Sequence, residues 1–576
     1  MKVCVIGAGP NGLTTIRQLL DEGHEVTCFE RSADIGGIWY RHENDHEETK
    51  AFDSLVLTIS MKLMSFSDFP HEGERTFATH QGYLRYLQAY AEHYGLKDHI
   101  RFNAAVTDVT HQDATWRIGV TTNGTRTEHV FDAIALCIGP FQRPNRNIPE
   151  IQPFTGEVIH SATYRNNRPF VGKRVLALGL AESGADVIRE ISDVASDFTL
   201  SIRSRSFLLV RQYLGKFSTD QQTLRAHHFE MWARATKEPV PYRTLWGEHW
   251  FSRAVFFTLI SIYGLLAFLW NGIQRLLGRG GSSGVQQQDN LGQPAHPPKL
   301  DLFTENTAEN VAFIDEWNRK SHKYEGNWSP KIIFAKNVSF VPNVVNGKIT
   351  VNDSGIDRTE GRRVYFRDGT VKEFDTIVLC TGYRPDFSIL GDIEIKDNNV
   401  RNLYKHAFHP QYGGRLAVIG VVRPFSGGIP VCSEMQARYF ALLCSGKLQL
   451  PSNVEERIQK EKAWEDKWTC LSPRAYDAIP SQIMFMDSIA REIGCLMPLS
   501  ELILNPRLMV RLWFYAFNQS CYRLVGPHSM PESARRNILA EKLPADSNWS
   551  ILGFIFLSLF PHFVHPKHTL CEIPRR

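Results

Sequence analysis

The chain has 576 residues, of which 43% are hydrophobic and 22% charged, and its formal net charge is +4. The length predicts about two to four domains, and the composition excludes a disordered or fibrous protein. So small a net charge gives no general field for nucleic acid. The ten cysteines include no CxxC pair and no zinc spacing, so we expect free thiols, a reducing compartment and no metal.

The chain opens with a strand, a glycine-rich turn and a helix. Lys2 to Ile6 is an apolar, β-branched run, and Leu13 to Glu22 has the pattern of a helix. The GxGxxG turn between them allows a tight bend, close approach of the backbone to a pyrophosphate, and packing of helix on strand. A second strand ends in an acid whose carboxylate can accept hydrogen bonds from ribose hydroxyls. We therefore predict a dinucleotide site at Gly7, Gly9, Asn11, Gly12 and Glu30.

The segment Asp34 to Trp39 directly follows this acid. Its paired glycines suggest a backbone lying close to a long ligand, which favours FAD over NAD. We expect Gly37, Ile38 and Trp39 to contact the cofactor. The alternative is an ordinary turn capped by a core tryptophan.

A second run of strand, turn and helix begins at Arg174, and its strand is predicted from Arg174 to Leu178. The turn reads Gly179-Leu180-Ala181-Glu182-Ser183-Gly184, with alanine at the middle glycine position, and the helix is predicted to run to about Ile191. We assign Gly179, Ser183 and Gly184 to cofactor binding. The carboxylate of Glu182 should repel a pyrophosphate unless it swings outward or is protonated.

The strand after this helix, Phe198 to Ile202, leads into Arg203 and Arg205. An arginine at the end of this strand can pair with a 2′-phosphate, because the guanidinium fork matches phosphate oxygens. The sequence therefore favours NADPH over NADH. The alternative is a solvated basic edge.

Two segments suggest membrane contact. Ala254 to Trp270 carries no charge and has three open interpretations, namely a single span, a helix dipping into one leaflet, and a buried core helix. Trp549 to Phe560 suits an interfacial anchor, and Gly278 to Pro298 suits a surface loop. We expect a protein associated with the membrane surface or bilayer, at the endoplasmic reticulum, or a cytosolic one if these segments are core.

Two further predicted strands, Ala133 to Leu136 and Thr376 to Leu379, also end in glycine turns. Each of them is preceded by an aspartate. This repeat predicts an α/β fold of two doubly wound, Rossmann-like domains, one inserted in the other, with a mainly helical C-terminal region. The predicted parts are 1–165 and 336–450 for FAD, 166–335 for NADPH with a membrane-facing insertion at about 212–300, 451–545 helical, and 546–576 an apolar tail.

Phe154 to Tyr164 fits the pattern FxGxxxHxxx(Y/F), and the chain resembles the flavin-containing monooxygenases over almost its whole length. Similar motifs are Phe66 to Pro70, Leu403 to His406, Ala417 to Gly420, Glu434 to Arg438, Phe485 to Asp487 and Tyr522 to Pro527. The resemblance implies FAD, NADPH, dioxygen and a small-molecule nucleophile oxygenated at nitrogen or sulfur. It assigns His160 to domain coupling and cofactor handling rather than to acid or base chemistry.

Thr58 and Glu182 depart from the family, which usually has asparagine at both positions. The resemblance implies that the first asparagine holds NADP beside the oxygenated flavin, so Thr58 is the candidate catalytic position. The expected route is a flavin C4a-hydroperoxide. Alternatives are an NADPH oxidase that releases hydrogen peroxide, a Baeyer-Villiger oxygenase of ketones, and a membrane-tethered binding protein without turnover. The substrate and the oligomeric state are not readable from the sequence.

Overall fold

The fold is taken from a computed structural model. It describes residues 1–41, 50–73, 75–180, 182–203, 205–208, 212–213, 217–218, 220, 225, 250–276, 307–322, 334–424, 427–469, 477–479, 481–541 and 552. The predicted loop Gly278 to Pro298 and all but one residue of the predicted anchor Trp549 to Phe560 lie outside these ranges.

The first parallel sheet is built around the N-terminal strand. Its strands are β1 (Lys2–Ile6), β2 (Glu25–Phe29), β3 (Ile100–Arg101), β7 (Ala133–Leu136) and β22 (Leu416–Val418). Their order across the sheet is β22-β7-β1-β2-β3, and each neighbouring pair is parallel. This order is doubly wound, because the chain runs outward from the central β1 first to one side and then to the other.

The second parallel sheet repeats this order with strands from the middle of the chain. Its strands are β9 (Glu157–His160), β10 (Arg174–Leu178), β11 (Asp197–Ser201), β16 (Thr350–Asn352) and β20 (Thr376–Leu379). Their order across the sheet is β16-β11-β10-β20-β9, and each neighbouring pair is again parallel. The second sheet thus forms between β7 and β22 of the first, so one doubly wound unit is inserted in the other, as predicted. The bounds differ from the prediction, because β9, β16 and β20 of the second sheet lie in the ranges 1–165 and 336–450 that were predicted for FAD.

An antiparallel three-stranded sheet directly precedes one strand of each parallel sheet, β7 in the first and β20 in the second. The two sets are β4 (Ala104–Gln112), β5 (Thr115–Thr122) and β6 (Thr125–Phe131), and β17 (Ile356–Glu360), β18 (Arg363–Phe366) and β19 (Val371–Glu373). The short strands are β8 (Arg143–Pro144), β12 (Phe207–Leu208), β13 (Gln212–Tyr213), β14 (Phe217–Ser218), β15 (Phe334–Ala335), β21 (Tyr383–Arg384), β23 (Arg423–Pro424) and β24 (Ala478–Ile479). Pairing of β8 with β21 ties one doubly wound unit to the other.

The helices of the two units precede a helical C-terminal region, as predicted. They are α1 (Pro10–Asp21), α2 (Met61–Met64), α3 (His80–His93), α4 (Glu182–Ser192), α5 (Trp250–Leu276), α6 (Ala308–His322) and α7 (Val341–Val345). The C-terminal helices are α8 (Ile429–Cys444), α9 (Val454–Thr469), α10 (Gln482–Glu492), α11 (Leu499–Leu504), α12 (Pro506–Phe514) and α13 (Pro531–Ala540). Helix α1 packs against α8, so the C-terminal region covers the first sheet.

Candidate active site

The first glycine turn leaves no room for side chains. Gly7 has φ +99°, and a Cβ on Gly12 would lie 1.8 Å from the Gly7 carbonyl oxygen. Helix α1 begins at Pro10, three residues before the predicted start, because proline is well suited to the first helical position. No side chain caps this helix at Gly9. Its first N–H groups therefore remain available to a phosphate.

Glu30 directly follows β2, and its carboxylate binds the backbone of the first glycine turn. Its carboxylate accepts hydrogen bonds from Ala8 N at 2.6 Å and Ser32 N at 2.8 Å, and the residue is 5% exposed. The side chain lines the cleft described below. This position is compatible with the predicted ribose contact, which stays a prediction.

The paired glycines pack against the first turn. Gly36 N donates to Ala8 O at 3.0 Å, and a Cβ on Gly37 would lie 3.1 Å from Gly9 Cα. The close backbone approach that the sequence predicted toward a ligand is thus made toward the turn itself. Gly37, Ile38 and Trp39 then line the cleft beside it.

The second glycine turn repeats the geometry of the first. Gly179 has φ +89°, and a Cβ there would lie 2.9 Å from Cys380 O, just as a Cβ on Gly7 would lie 3.1 Å from Cys137 O. Gly184 packs on Cys380 and lines the cleft. Ala181 and the side chain of Ser183 lie outside the described part of the chain.

The two candidate arginines differ in their surroundings. Strand β11 ends at Ser201, and Arg203 beyond it is exposed. The Arg205 guanidinium lies 4.6 Å from the centroid of the Trp317 ring and pairs with the Asp353 carboxylate. Arg203 is therefore the better placed of the two for a 2′-phosphate, and its role remains a prediction.

One cleft of about 750 Å³ runs past both glycine turns. This is the volume of a typical small-molecule site. Its lining includes most of the candidate residues, namely Gly7, Gly9, Asn11, Glu30, Gly37, Ile38, Trp39, Thr58 and Gly184. The uncapped start of α1, the turns that exclude a Cβ, and the Glu30 carboxylate all suit a long phosphate-linked nucleotide such as FAD.

Thr58 lies in this same cleft. It is half-buried and follows Leu57, whose N–H donates to Ala78 O at 2.9 Å. On its other side, Ser60 N donates to Asp220 Oδ2 at 2.8 Å. Thr58 therefore lies in the cleft on a segment that hydrogen bonds fix on both sides.

Glu182, the second departure, also faces the cleft. It is the first residue of α4 and lines the cleft wall, so the side chain has not swung outward. Its Oε2 is buried and has no hydrogen-bond partner among the described residues.

His160 is the last residue of β9, at the edge of the second sheet, and its two hydrogen-bond partners belong to the same unit. The ring is fully buried, its Nδ1 accepts from Ala162 N at 3.0 Å, and its Nε2 lies 3.1 Å from Gly382 O. Since Nδ1 accepts, Nε2 carries the proton and donates to the carbonyl. Burial and, next, the Arg146 charge lower the pKa of His160 to about 4. A neutral ring with both nitrogens engaged agrees with the expectation that His160 has no acid or base role, and the coupling role that the resemblance implies stays a prediction.

Sequence reasoning missed several charged residues of the cleft, and Lys336 is one of them. Lys336 lies directly after β15 and is 9% exposed, yet it lines the cleft together with Glu182. Neither a glycine pattern nor a strand of useful length marks its position. Only the fold brings it beside α4.

Comparisons with known proteins agree with this geometry. A family model described as "FMO-like: Flavin-binding monooxygenase-like" matches residues 1–234 and 324–545. The "4-hydroxybenzoate brominase (decarboxylating)" of Marinomonas mediterranea is 33% identical over 556 residues, which are 95% of this chain and 94% of that protein. The "Dimethylaniline monooxygenase [N-oxide-forming] 4" of Rattus norvegicus is 29% identical over 564 residues, 94% of this chain and 87% of that one.

Solved structures show the same fold. Cyclohexanone monooxygenase from Rhodococcus sp. Phi1 bound to NADP+ superposes with a TM-score of 0.54. The two chains are 16% identical, and the match covers 86% of this chain and 96% of the other. At this identity the likeness concerns the fold alone.

Proposed function

Because the chain belongs to the flavin-binding monooxygenase-like family, we propose that it oxygenates nitrogen or sulfur of small lipophilic molecules. The enzyme is a flavin monooxygenase whose cofactors are FAD and NADP(H). Each turnover would consume one NADPH and one dioxygen, with the second oxygen atom leaving as water.

The observation that supports this proposal is the single cleft that runs past both nucleotide turns. When bound, FAD reduced by NADPH supplies the electrons that activate dioxygen. The chain's own residues would bind and orient the two cofactors. The first turn and Glu30 would hold FAD, while the second turn and Arg203 would hold NADPH. The half-buried Thr58 would face the reacting atoms from a wall that excludes water.

Thr58 motivates an alternative outcome at the same site. A threonine hydroxyl is shorter than an asparagine side chain and has no amide, so it offers fewer donors to a bound cofactor. Oxygen activation would then end in release of hydrogen peroxide, which makes the protein an NADPH oxidase. Ketone oxygenation of the Baeyer-Villiger type is a third variant.

A second candidate function is favoured by the brominase relatives, which are more similar to this chain than the dimethylaniline monooxygenase of rat. Bromide is a soft nucleophile, as amine nitrogen and sulfide sulfur are. An oxygen atom transferred to bromide gives an electrophile that can replace the carboxyl group of an aromatic acid. In this case the substrates are a halide and a phenolic acid.

One experiment separates these functions. The purified protein is supplied with NADPH and ¹⁸O₂ in four parallel arms, containing a tertiary amine, a sulfide, a cyclic ketone, or bromide with 4-hydroxybenzoate. Mass spectrometry of the products identifies the acceptor, and ¹⁸O in the amine or sulfide product supports the first proposal. Peroxide equal to the NADPH consumed in every arm contradicts all oxygenation proposals and indicates an oxidase.

We also propose contact with a membrane surface through α5. One face of this helix packs inward, where Tyr263 Oη donates to Ile503 O at 3.2 Å and Phe268 contacts the core. The opposite face carries large apolar side chains that are 44 to 61% exposed, namely Ile262, Leu265, Leu266, Leu269, Trp270 and Ile273. Among the described residues no helix is long and apolar enough to cross a membrane. An amphipathic helix lying in the interface fits these observations.

A further inference from the structure

Lys336 is a buried cation that faces the cleft. The residue is 9% exposed and belongs to the cleft lining. Within the part of the chain that the structure describes, no side-chain or backbone atom forms a hydrogen bond or an ion pair with its ammonium group. Three N–H donors are therefore directed into the cleft without a protein acceptor. Burying an ammonium group without partners is costly, so such an arrangement points to a ligand.

The fold holds Lys336 at the start of α4. Next to it, Asn337 Nδ2 donates to the Glu182 carbonyl at 3.2 Å, and Ser339 Oγ donates to Asp186 Oδ1 at 3.0 Å. Farther along, Asn343 Nδ2 donates to Ser192 Oγ at 2.8 Å, near the other end of the helix. The segment is thus fastened along α4 from its first to its last turn, which fixes the position of the lysine.

Among the described residues, neither of the two carboxylates that act on Lys336 through space forms a hydrogen bond or an ion pair with it. Burial lowers the pKa of Lys336, while the carboxylates of Glu182 and then Asp220 raise it in part. Asp220 is already engaged, because it accepts from Ser60 N and lies 3.8 Å from Arg75 Nη1. Glu182 is close enough to act on the lysine through space, but its buried Oε2 has no hydrogen-bond partner among the described residues.

The start of a helix is also a poor place for a lone cation. The unpaired N–H groups there carry partial positive charge, which repels an ammonium group and attracts an anion. A lysine fixed at this position, with its donors facing a cleft, becomes favourable when an anion lies between it and the helix.

We propose that Lys336 is an anion-anchoring residue of the cleft and pairs with a phosphate or carboxylate oxygen of a bound ligand. The proposal rests on the proposed function. The charge of Lys336 would offset the repulsion that Glu182 exerts on an anion at α4, which explains how the second turn can bind a phosphate with a carboxylate in it. The ligand oxygen comes either from the pyrophosphate of NADPH or from the carboxylate of an acidic aromatic substrate.

The test uses the FAD-loaded protein and equilibrium binding. Wild type, K336M, K336R and E182Q are titrated with NADP+, with 4-hydroxybenzoate and with uncharged phenol, by calorimetry and by the change in flavin absorbance. K348M is the matched control, because Lys348 lies in the same segment but pairs with Asp193 and is 51% exposed. Thermal unfolding of each variant checks that it is folded.

Loss of a charge-assisted contact should raise the Kd of the anchored ligand by about tenfold to a hundredfold in K336M, while K348M is unchanged. A rise for NADP+ identifies the phosphate source. A rise for 4-hydroxybenzoate but not for phenol identifies the carboxylate source. K336R should retain most of the affinity, and E182Q should bind the same ligand more tightly, because one repulsive charge is gone.

Unchanged affinity of K336M for both NADP+ and 4-hydroxybenzoate overturns the proposal. If K336M does not fold, E182Q decides the question, since an E182Q variant that binds neither anion more tightly also overturns it. These titrations require no turnover. A protein that binds NADP+ through Lys336 but gives no oxygenated product contradicts the proposed function and leaves the anion anchor standing.

Discussion

Asp132 and Asp375 have the same task in the two doubly wound units. Each directly precedes a strand that pairs with the central strand, β7 or β20, and accepts a hydrogen bond from the first residue of the central strand, Lys2 N at 2.7 Å and Arg174 N at 2.9 Å. Hydrogen bonds from the Arg174 guanidinium and backbone hold the pKa of Asp375 well below its usual range. The repeated aspartate noticed in the sequence is therefore a device that fixes strand register.

Arg203 and Arg205 give a prediction about cofactor choice. Exchange of Arg203 for glutamine should raise the Kd for NADPH about tenfold or more and leave NADH unchanged, because only NADPH carries a 2′-phosphate. R205Q is the control, since Arg205 already stacks on Trp317 and pairs with Asp353, and it should affect thermal stability more than NADPH selectivity. Equal loss of NADH affinity in R203Q would refute the assignment.

His160 gives a prediction about pH. Its pKa is about 4 in the folded protein and 6.5 without these surroundings, so unfolding takes up a proton between these values. The stability that the neutral ring contributes is complete above pH 6.5 and is lost as the pH falls toward 4. We expect the free energy of unfolding of H160Q, measured with urea, to decline less than that of wild type across this window. Parallel pH profiles would contradict the prediction.

At the scale of elements, the sequence located best those strands that lie in the middle of a sheet. Four predicted ranges agree with the structure residue by residue, namely Lys2 to Ile6, Ala133 to Leu136, Arg174 to Leu178 and Thr376 to Leu379. Buried parallel strands are unbroken apolar runs, and each of these ends in a glycine turn. The two antiparallel sheets were not predicted, because their strands are half-exposed and alternate weakly.

Contacts made by distant segments explain what the sequence could not show at the site. The first glycine turn and Glu30 were recognised from local patterns and Thr58 from the family resemblance, and the structure places them in one cleft. Lys336 reaches the same cleft only because its segment is fastened along α4. No local pattern encodes such an encounter.

The exposed face of α5 predicts how the protein is retained on lipid. Replacing Leu266 and Leu269 by aspartate should release the protein from anionic vesicles in a sedimentation assay, because charged side chains oppose insertion of this face. V171D is the matched control, since Val171 is 66% exposed and lies outside the helix. A wild-type protein that remains in the supernatant at low salt would refute membrane contact through α5.

At the scale of the molecule, three of the motifs that carry the family resemblance meet in one buried ion cluster. Arg523 is 1% exposed and donates to Glu434 Oε1 at 2.8 Å, Asp68 Oδ2 at 3.2 Å and Gln18 Oε1 at 3.4 Å. The cluster fastens α1, the segment before α3, α8 and the C-terminal region to one another. The sequence identified each motif, but their meeting point is a property of the fold.

Removing the cation from this cluster should be costly. R523M leaves Asp68 and Glu434 buried without their counter-charge, and we expect it to lower the free energy of unfolding by about 3 to 5 kcal/mol. R126M is the control, because the Arg126–Asp108 pair is exposed to solvent on the first antiparallel sheet and should contribute little. Urea unfolding followed by circular dichroism measures both, and an R523M protein as stable as wild type would contradict the expectation.

The interleaving of the two sheets has a consequence for biosynthesis. Strand β22 joins the first sheet at residues 416–418, and Ser433 Oγ then donates to Asn11 Oδ1 at 2.7 Å beside the first turn. A ribosome adding about 5 to 20 residues per second needs roughly 20 to 80 seconds to proceed from β1 to β22. During that time the first glycine turn lacks one of its neighbouring walls. We therefore expect flavin to be bound late, after the second unit has been translated, and we expect the early chain to be the species that depends on chaperones.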